Sequence, residues 1–147
     1  MNNNRHKMAV AVHLFLIRGD EVLLLRRFNT GYEDGNYSVV AGHIDEGEDF
    51  VSAMRREAKE EAGIDIACQD LIPVQVMHRK NGNDERIDYF FVSEKWTGKI
   101  VNMEPEKCDE LRWHKLNALP VNTIPYISSS IGHYWGNEVF TRFGWQS

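Results

Sequence analysis

Three carboxylates, Glu57, Glu60 and Glu61, stand at i, i+3 and i+4 in residues 42–64, GHIDEGEDFVSAMRREAKEEAGI. On a helix, residues three and four apart share a face, so all three would point the same way. Like charges so placed cost a helix about 0.2–0.5 kcal/mol per pair unless a cation sits among them. A hard divalent ion with oxygen ligands suits this set: Mg²⁺ before Zn²⁺, with Mn²⁺ as a substitute. The plainer reading is a solvated acidic face neutralised by Arg55, Arg56 and Lys59.

The surrounding pattern is that of a helix built to pack. Val51, Met54, Ala58 and Ala62 form an apolar stripe at i, i+3, i+7 and i+11. Glu48 and Asp49 lie near its expected start, where the macrodipole favours anions, and Gly63 is placed to end it. Upstream, residues 8–17 read as a buried strand, 18–20 as a tight turn and 21–27 as the hairpin partner. A loop over 28–36 and a short strand over 37–40 then deliver Gly42. Downstream, 71–79 and 86–93 form strands around a hairpin signal at 80–84. Residues 96–101 extend that sheet, and 111–115 make the last strand. Residues 124–135 read as a second amphipathic helix with Pro125 in its first turn, where proline is tolerated. Strands surrounding two helices predict an α/β protein, a mixed sheet with a helix on each face.

The 147 residues are one domain's worth, with ordinary globular composition at 42% apolar and 11% aromatic. A formal charge of −5 argues against general nucleic-acid binding, so an anionic substrate would need a metal and a local basic cluster. Cys68 and Cys108 lack any zinc-ligand spacing and read as reduced thiols. The apolar run after residue 7 is too short for a membrane span and is followed by no cleavage site, so a cytoplasmic protein is expected, with no membrane partner. The first seven residues are polar and read as frayed.

The segment 42–64 resembles the signature of the Nudix hydrolases, G-x5-E-x7-R-E-U-x-E-E-x-G-U, where U is a bulky aliphatic. Gly42, Glu48, Arg56, Glu57, Glu60, Glu61 and Gly63 match every fixed identity, and Ile64 fits the second aliphatic position. Ala58 fills the first with a smaller side chain. The resemblance extends from about residue 7 to residue 135 and implies the Nudix α/β/α sandwich over a single domain, residues 1–147. It also implies the activity: Mg²⁺-dependent attack of water on phosphorus in a nucleoside diphosphate linked to some group X. By the same resemblance Glu57 and Glu61 map onto principal metal ligands, Glu60 onto a further or water-mediated one, and the Gly42 backbone onto another. Arg56 would orient a ligand glutamate and Glu48 would complete that surround. A later acidic residue, Glu104 or Glu106, is the candidate extra ligand or base. Arg26 or Arg27 at a strand end would meet phosphate, and His43 and His78 are candidate substrate contacts.

Two positions depart from the family pattern. Val40-Ala41 stand where Pro-Gly is usual, and Tyr37 where tryptophan is usual. The proline and the tyrosine that mark the ADP-ribose and dinucleoside polyphosphate branches would fall at Lys80 and Asn81, and the NADH-branch stretch is missing. By elimination the chain looks most like the MutT-like branch, which cleaves nucleoside triphosphates between the α and β phosphates. The alternatives are an ADP-ribose or nucleotide-sugar pyrophosphatase and a non-catalytic nucleotide sensor. A homodimer is a further expectation, with Phe140, Phe143 and Trp145 of the tail covering apolar surface on the same chain or on a partner.

Overall fold

The computed structural model describes residues 4–146. Alternation along the first strand dictates the layering. In β1 (Ala9–Arg18), Val12, Leu14 and Leu16 pack to one side and Phe15 and Ile17 to the other, so the strand is buried on both faces. It lies at the centre of an eight-stranded sheet in the order β3-β2-β1-β6-β5-β8, with β4 added to β1 and β7 to β2. The other strands are β2 (Glu21–Arg27), β3 (Tyr37–Ser38), β4 (Val40–His43), β5 (Ile72–Asn81), β6 (Asp84–Ser93), β7 (Cys108–Lys115) and β8 (Phe140–Phe143). The β1–β6 and β5–β8 pairs are parallel and the rest antiparallel, so the sheet is mixed.

One helix covers each face. In α1 (Phe50–Ala62), Ala53, Met54, Ala58 and Ala62 are buried against Leu14, Leu23 and Phe91. Asp49 caps it by accepting the Ser52 N–H at 2.8 Å. Gly63 ends it in the left-handed region at φ 71°, its N–H donating to the Lys59 carbonyl at 3.1 Å. On the opposite face α2 (Pro125–Trp135) buries Tyr126, Ile127, Ser130 and Ile131.

Two expectations change. Residues 96–101 form no strand; a single bridge joins Thr97 to Asp65, and Trp96 stacks on Trp113 at 5.9 Å instead. Nor is 108–115 the last strand. The described part of the tail adds β8 in parallel to β5 of its own sheet, with Phe140 opposite Val76 and Phe143 opposite Arg79. The Trp145 indole N–H donates to the His78 carbonyl at 2.9 Å, locking the tail on. That strand has no apolar run to announce it, because edge pairing asks only for a free backbone ladder. Of the seven amino-terminal residues read as frayed, 1–3 lie outside the described ones; 4–7 are exposed and without regular structure, with the His6 ring 3.4 Å from Glu85.

Candidate active site

Capping and packing together aim the acidic face of α1 at β4. Its apolar stripe faces the sheet, which turns Glu57 and Glu61 toward the strand carrying Ala41 and Gly42. The Ala41 N–H donates to Glu61 Oε2 at 3.2 Å. Gly42 explains itself by what a side chain there would meet: a Cβ would run into the Glu57 carboxylate. Glycine is therefore needed for close approach, not for an unusual backbone angle.

Arg56 organises the exposed side of the cluster. Its Nε and Nη2 grip Glu48 bidentately at 2.8 and 3.0 Å, while Nη1 donates to Glu57 at 2.8 Å and to Glu60 at 3.2 Å. Nη2 also donates to the His43 carbonyl at 3.0 Å, which ties the helix to the end of β4. That fork geometry is specific to arginine. The Arg56 hydrogen bond and the Asp45 N–H pull the Glu48 carboxyl down to about 2. Glu48 is thus an anion fixed in place by its neighbours.

The inner pair behaves differently. Burial pushes both Glu57 and Glu61 above the usual carboxylate range. Beside burial, the neighbouring Glu57 and the nearby charge of Glu104 raise Glu61 further. Here lies the test of whether a metal suits the site. The donors are all oxygens, burial and repulsion disfavour the charges of two neighbouring carboxyls that a divalent cation would compensate, and the bare Cα of Gly42 lets the Glu57 carboxylate lie against its strand. These residues fit a hard ion such as Mg²⁺. Among the described residues no three carboxylate, imidazole or thiolate groups converge closely enough to hold an ion as they stand, Glu60 being turned onto Arg56.

These groups line one side of a cavity of about 450 Å³. Of the residues singled out from the sequence, Gly42, His43, Glu57, Glu60, Glu61, Glu104 and Arg27 reach it. Glu48 and Arg56 stand behind the carboxylates and act on them through the bonds above. Glu106 is not part of the wall and is exposed. Arg26 and His78 are not part of the wall either, for one reason: neighbours on a strand face opposite ways. A register shift at Arg26/Arg27 sends Arg26 out to Asp109, at 2.8 Å, while Arg27 lines the cavity. On β5, His78 packs on Trp145 with ring centroids 4.5 Å apart, and the adjacent Arg79 faces the cavity.

Sequence reasoning missed several lining groups. Arg79, Arg86 and Lys107 bring positive charge, and His13 and Tyr126 form part of the wall opposite the glutamates. Thr30 and Tyr32 come from the 28–36 loop, which Asp34 folds by accepting from the Thr30 and Gly31 N–H groups and the Thr30 hydroxyl. Arg27 braces that loop, donating to the Tyr32 carbonyl at 2.7 Å. The Asp-Gly pair at 34–35 signals such a turn, but nothing local says where it leans.

Known proteins resemble this chain in sequence and fold. A family model described as NUDIX domain matches residues 7–130. The chain is similar to an NAD-capped RNA hydrolase NudC from Stutzerimonas stutzeri (strain A1501), 30% identical over 114 residues, and to one from Pseudomonas aeruginosa (strain LESB58), 31% identical over 114 residues. Those stretches cover 78% of this chain but 39% and 38% of the relatives, so the chain spans about two fifths of the curated relatives it matches. Among solved structures it is similar to a MutT NUDIX hydrolase from Burkholderia pseudomallei, with TM-score 0.79 and 20% identity, covering 86% of this chain and 98% of that one. A MutT protein from Methanosarcina mazei Go1 gives TM-score 0.74 at 17% identity, covering 88% and 94%. At such identities these structures speak for the α/β fold.

Proposed function

The chain belongs to the NUDIX family, and from that premise we propose that it hydrolyses phosphoanhydride bonds, cleaving nucleoside triphosphates with release of pyrophosphate. The observation that carries this reading is the division of charge around one cavity. Glu57, Glu60, Glu61 and Glu104 line it, and so do Arg27, Arg86 and Lys107. Carboxylates would repel a phosphate chain on their own. With a divalent ion bound they would become its anchor, and the three cations would meet the remaining phosphate oxygens with the donors their loop and ion-pair bonds leave over. A volume near 450 Å³ is in the range of small-ligand sites, which suits a single nucleotide.

Each residue then has a task. Glu57 and Glu61 would hold Mg²⁺, with Glu60 and the Gly42 backbone as further donors. The ion, when bound, lowers the pKa of water and screens the phosphate charge. Arg56 keeps the Glu57 carboxylate aimed, and Glu48 keeps Arg56 aimed. A carboxylate facing the same space removes the proton from the attacking water, and Glu104 is our candidate because its charge already bears on Glu61. Residues 1–147 act as one domain in this account.

A second reading follows from the relatives at 30–31% identity, whose names specify an NAD-capped RNA substrate. On that reading the group X is a second nucleoside. A panel of nucleoside triphosphates, ADP-ribose and dinucleotides with Mg²⁺, scored by released phosphate or pyrophosphate, separates the two. Turnover of dinucleotides at least tenfold above every triphosphate would reject our first choice.

A further inference from the structure

The cavity is also lined by Arg79, His13 and Tyr126, with Asp88 buried behind Arg79, and the hydrolytic step uses none of the four. Asp88, on β6, is completely buried and accepts from Arg79 Nε at 2.6 Å and Nη2 at 3.3 Å. Arg79, on β5, is 8% exposed, and its guanidinium lies 3.7 Å over the Tyr126 ring. Burial works against the arginine's charge, but the bond to Asp88 and the neighbouring charges together outweigh it, so the cation persists. Asp88 occupies one edge of the fork. Nη1 has no hydrogen-bond partner among the described residues, although Arg79 lines the cavity. An oxygen acceptor from a ligand is what it lacks.

The tyrosine beside it has a fixed polarity. His13 Nδ1 lies 3.3 Å from the Tyr89 carbonyl, which can only accept, so Nδ1 carries the hydrogen. Burial lowers the His13 pKa to about 4, so the ring is neutral near pH 7 and its Nε2 must accept. The Tyr126 hydroxyl, 3.1 Å away, therefore donates to His13, and its oxygen can only accept from anything else.

We propose that this wall selects nucleotides by the lactam edge of the base, a keto oxygen beside a ring N–H. The keto oxygen accepts from Arg79 Nη1 and the ring N–H donates to Tyr126 Oη. Guanine, hypoxanthine and uracil carry that edge. Adenine and cytosine present an amino group beside an unprotonated nitrogen, which sets donor against donor and acceptor against acceptor. Because Asp88 already balances Arg79 and His13 is neutral, the wall carries no net charge. It is suited to a polar neutral group, while Arg27, Arg86 and Lys107 remain for phosphate. The inference rests on the nucleoside triphosphate reading and names which nucleotides it prefers.

The test compares pairs differing only at that edge. With Mg²⁺, kcat/KM is measured for inosine against adenosine triphosphate and for uridine against cytidine triphosphate. The keto member of each pair should lead by about 10- to 100-fold; ratios near one, or reversed, overturn the proposal. Tyr126→Phe keeps the ring under Arg79 and removes only the acceptor, so both ratios should fall to within about threefold of one in a variant that still melts cooperatively; unchanged ratios overturn the proposal as well. Calorimetric binding of inosine and adenosine monophosphates needs no turnover and keeps two failures apart. Equal affinities overturn the lactam reading whatever the enzyme hydrolyses. A tenfold preference for the inosine nucleotide without any triphosphate turnover upholds it and overturns only the triphosphate reading.

Discussion

The two ends of the cavity are built on opposite electrostatic plans. At the α1 end, like charges are pressed together: burial raises both Glu57 and Glu61, and the charge of Glu57 raises Glu61 further. At the β5–β6 end, Arg79, Asp88, His13 and Tyr126 satisfy one another, leaving a short row of directed donors and acceptors. The first arrangement is unstable until a cation arrives, as a site for binding and activating charge must be. The second is stable alone, as a surface that discriminates by shape and polarity must be. Stored repulsion serves chemistry and internal pairing serves selection.

Substitutions should separate the ends sharply. The largest effect on turnover belongs to Glu57→Gln and Glu61→Gln, each expected to lower kcat by roughly 10³-fold or more. Since each removes one member of a repelling pair, the melting temperature should hold or rise. The mirror case is Asp88→Ala, which strands the Arg79 charge beneath the sheet and should cost about 3 kcal/mol of stability, read by denaturant unfolding. If Asp88→Ala proved harmless to folding while Glu57→Gln unfolded the protein, the contrast would be backward.

Smaller effects sharpen the picture. Arg56→Lys keeps the charge but loses the fork that holds Glu48, Glu57 and Glu60, so activity should fall about 10- to 100-fold, with a weaker apparent affinity for Mg²⁺. His13 sets a pH signature. Its folded pKa of about 4 lies below the ordinary histidine value of 6.5, so the neutral ring stabilises the fold fully above pH 6.5 and that contribution drains away as pH falls toward 4. At about 1.4 kcal/mol per unit this amounts to a few kcal/mol, and it should vanish in His13→Gln when stability is followed from pH 7 to pH 4. The smallest change is expected for Arg26→Ala, whose partner Asp109 faces solvent away from the cavity; kcat/KM within about twofold of the parent checks it.

The acidic end was legible in the sequence because a helix writes it contiguously. Glu57, Glu60 and Glu61 reveal their shared face by spacing, and Gly42 and Gly63 mark the close approach and the cap. The selecting end draws one residue each from β1, β5, β6 and α2. No spacing connects His13, Arg79, Asp88 and Tyr126, and only the strand order β1-β6-β5 brings three of them side by side. The parity of strands accounts for the near misses. Choosing Arg26 with Arg27, or His78 in place of Arg79, lands one residue off, and one residue in a strand is the other face. The edge strand β8 has Phe140 and Phe143 but no continuous apolar run to mark it as a strand, and the β3–β4 region folded regularly despite Val40-Ala41, because β4 pairs along β1 from Leu14–Val40 to Ala11–His43.

The central claim is tested most directly by titrating Mn²⁺ into the protein and counting bound ions by electron paramagnetic resonance. The wild-type chain should bind the ion with release of a proton, and Glu61→Gln should bind it at least tenfold more weakly. Equal binding by both proteins, or none by the wild type in the presence of nucleotide, would contradict the assignment of the α1 carboxylates as the metal's anchor.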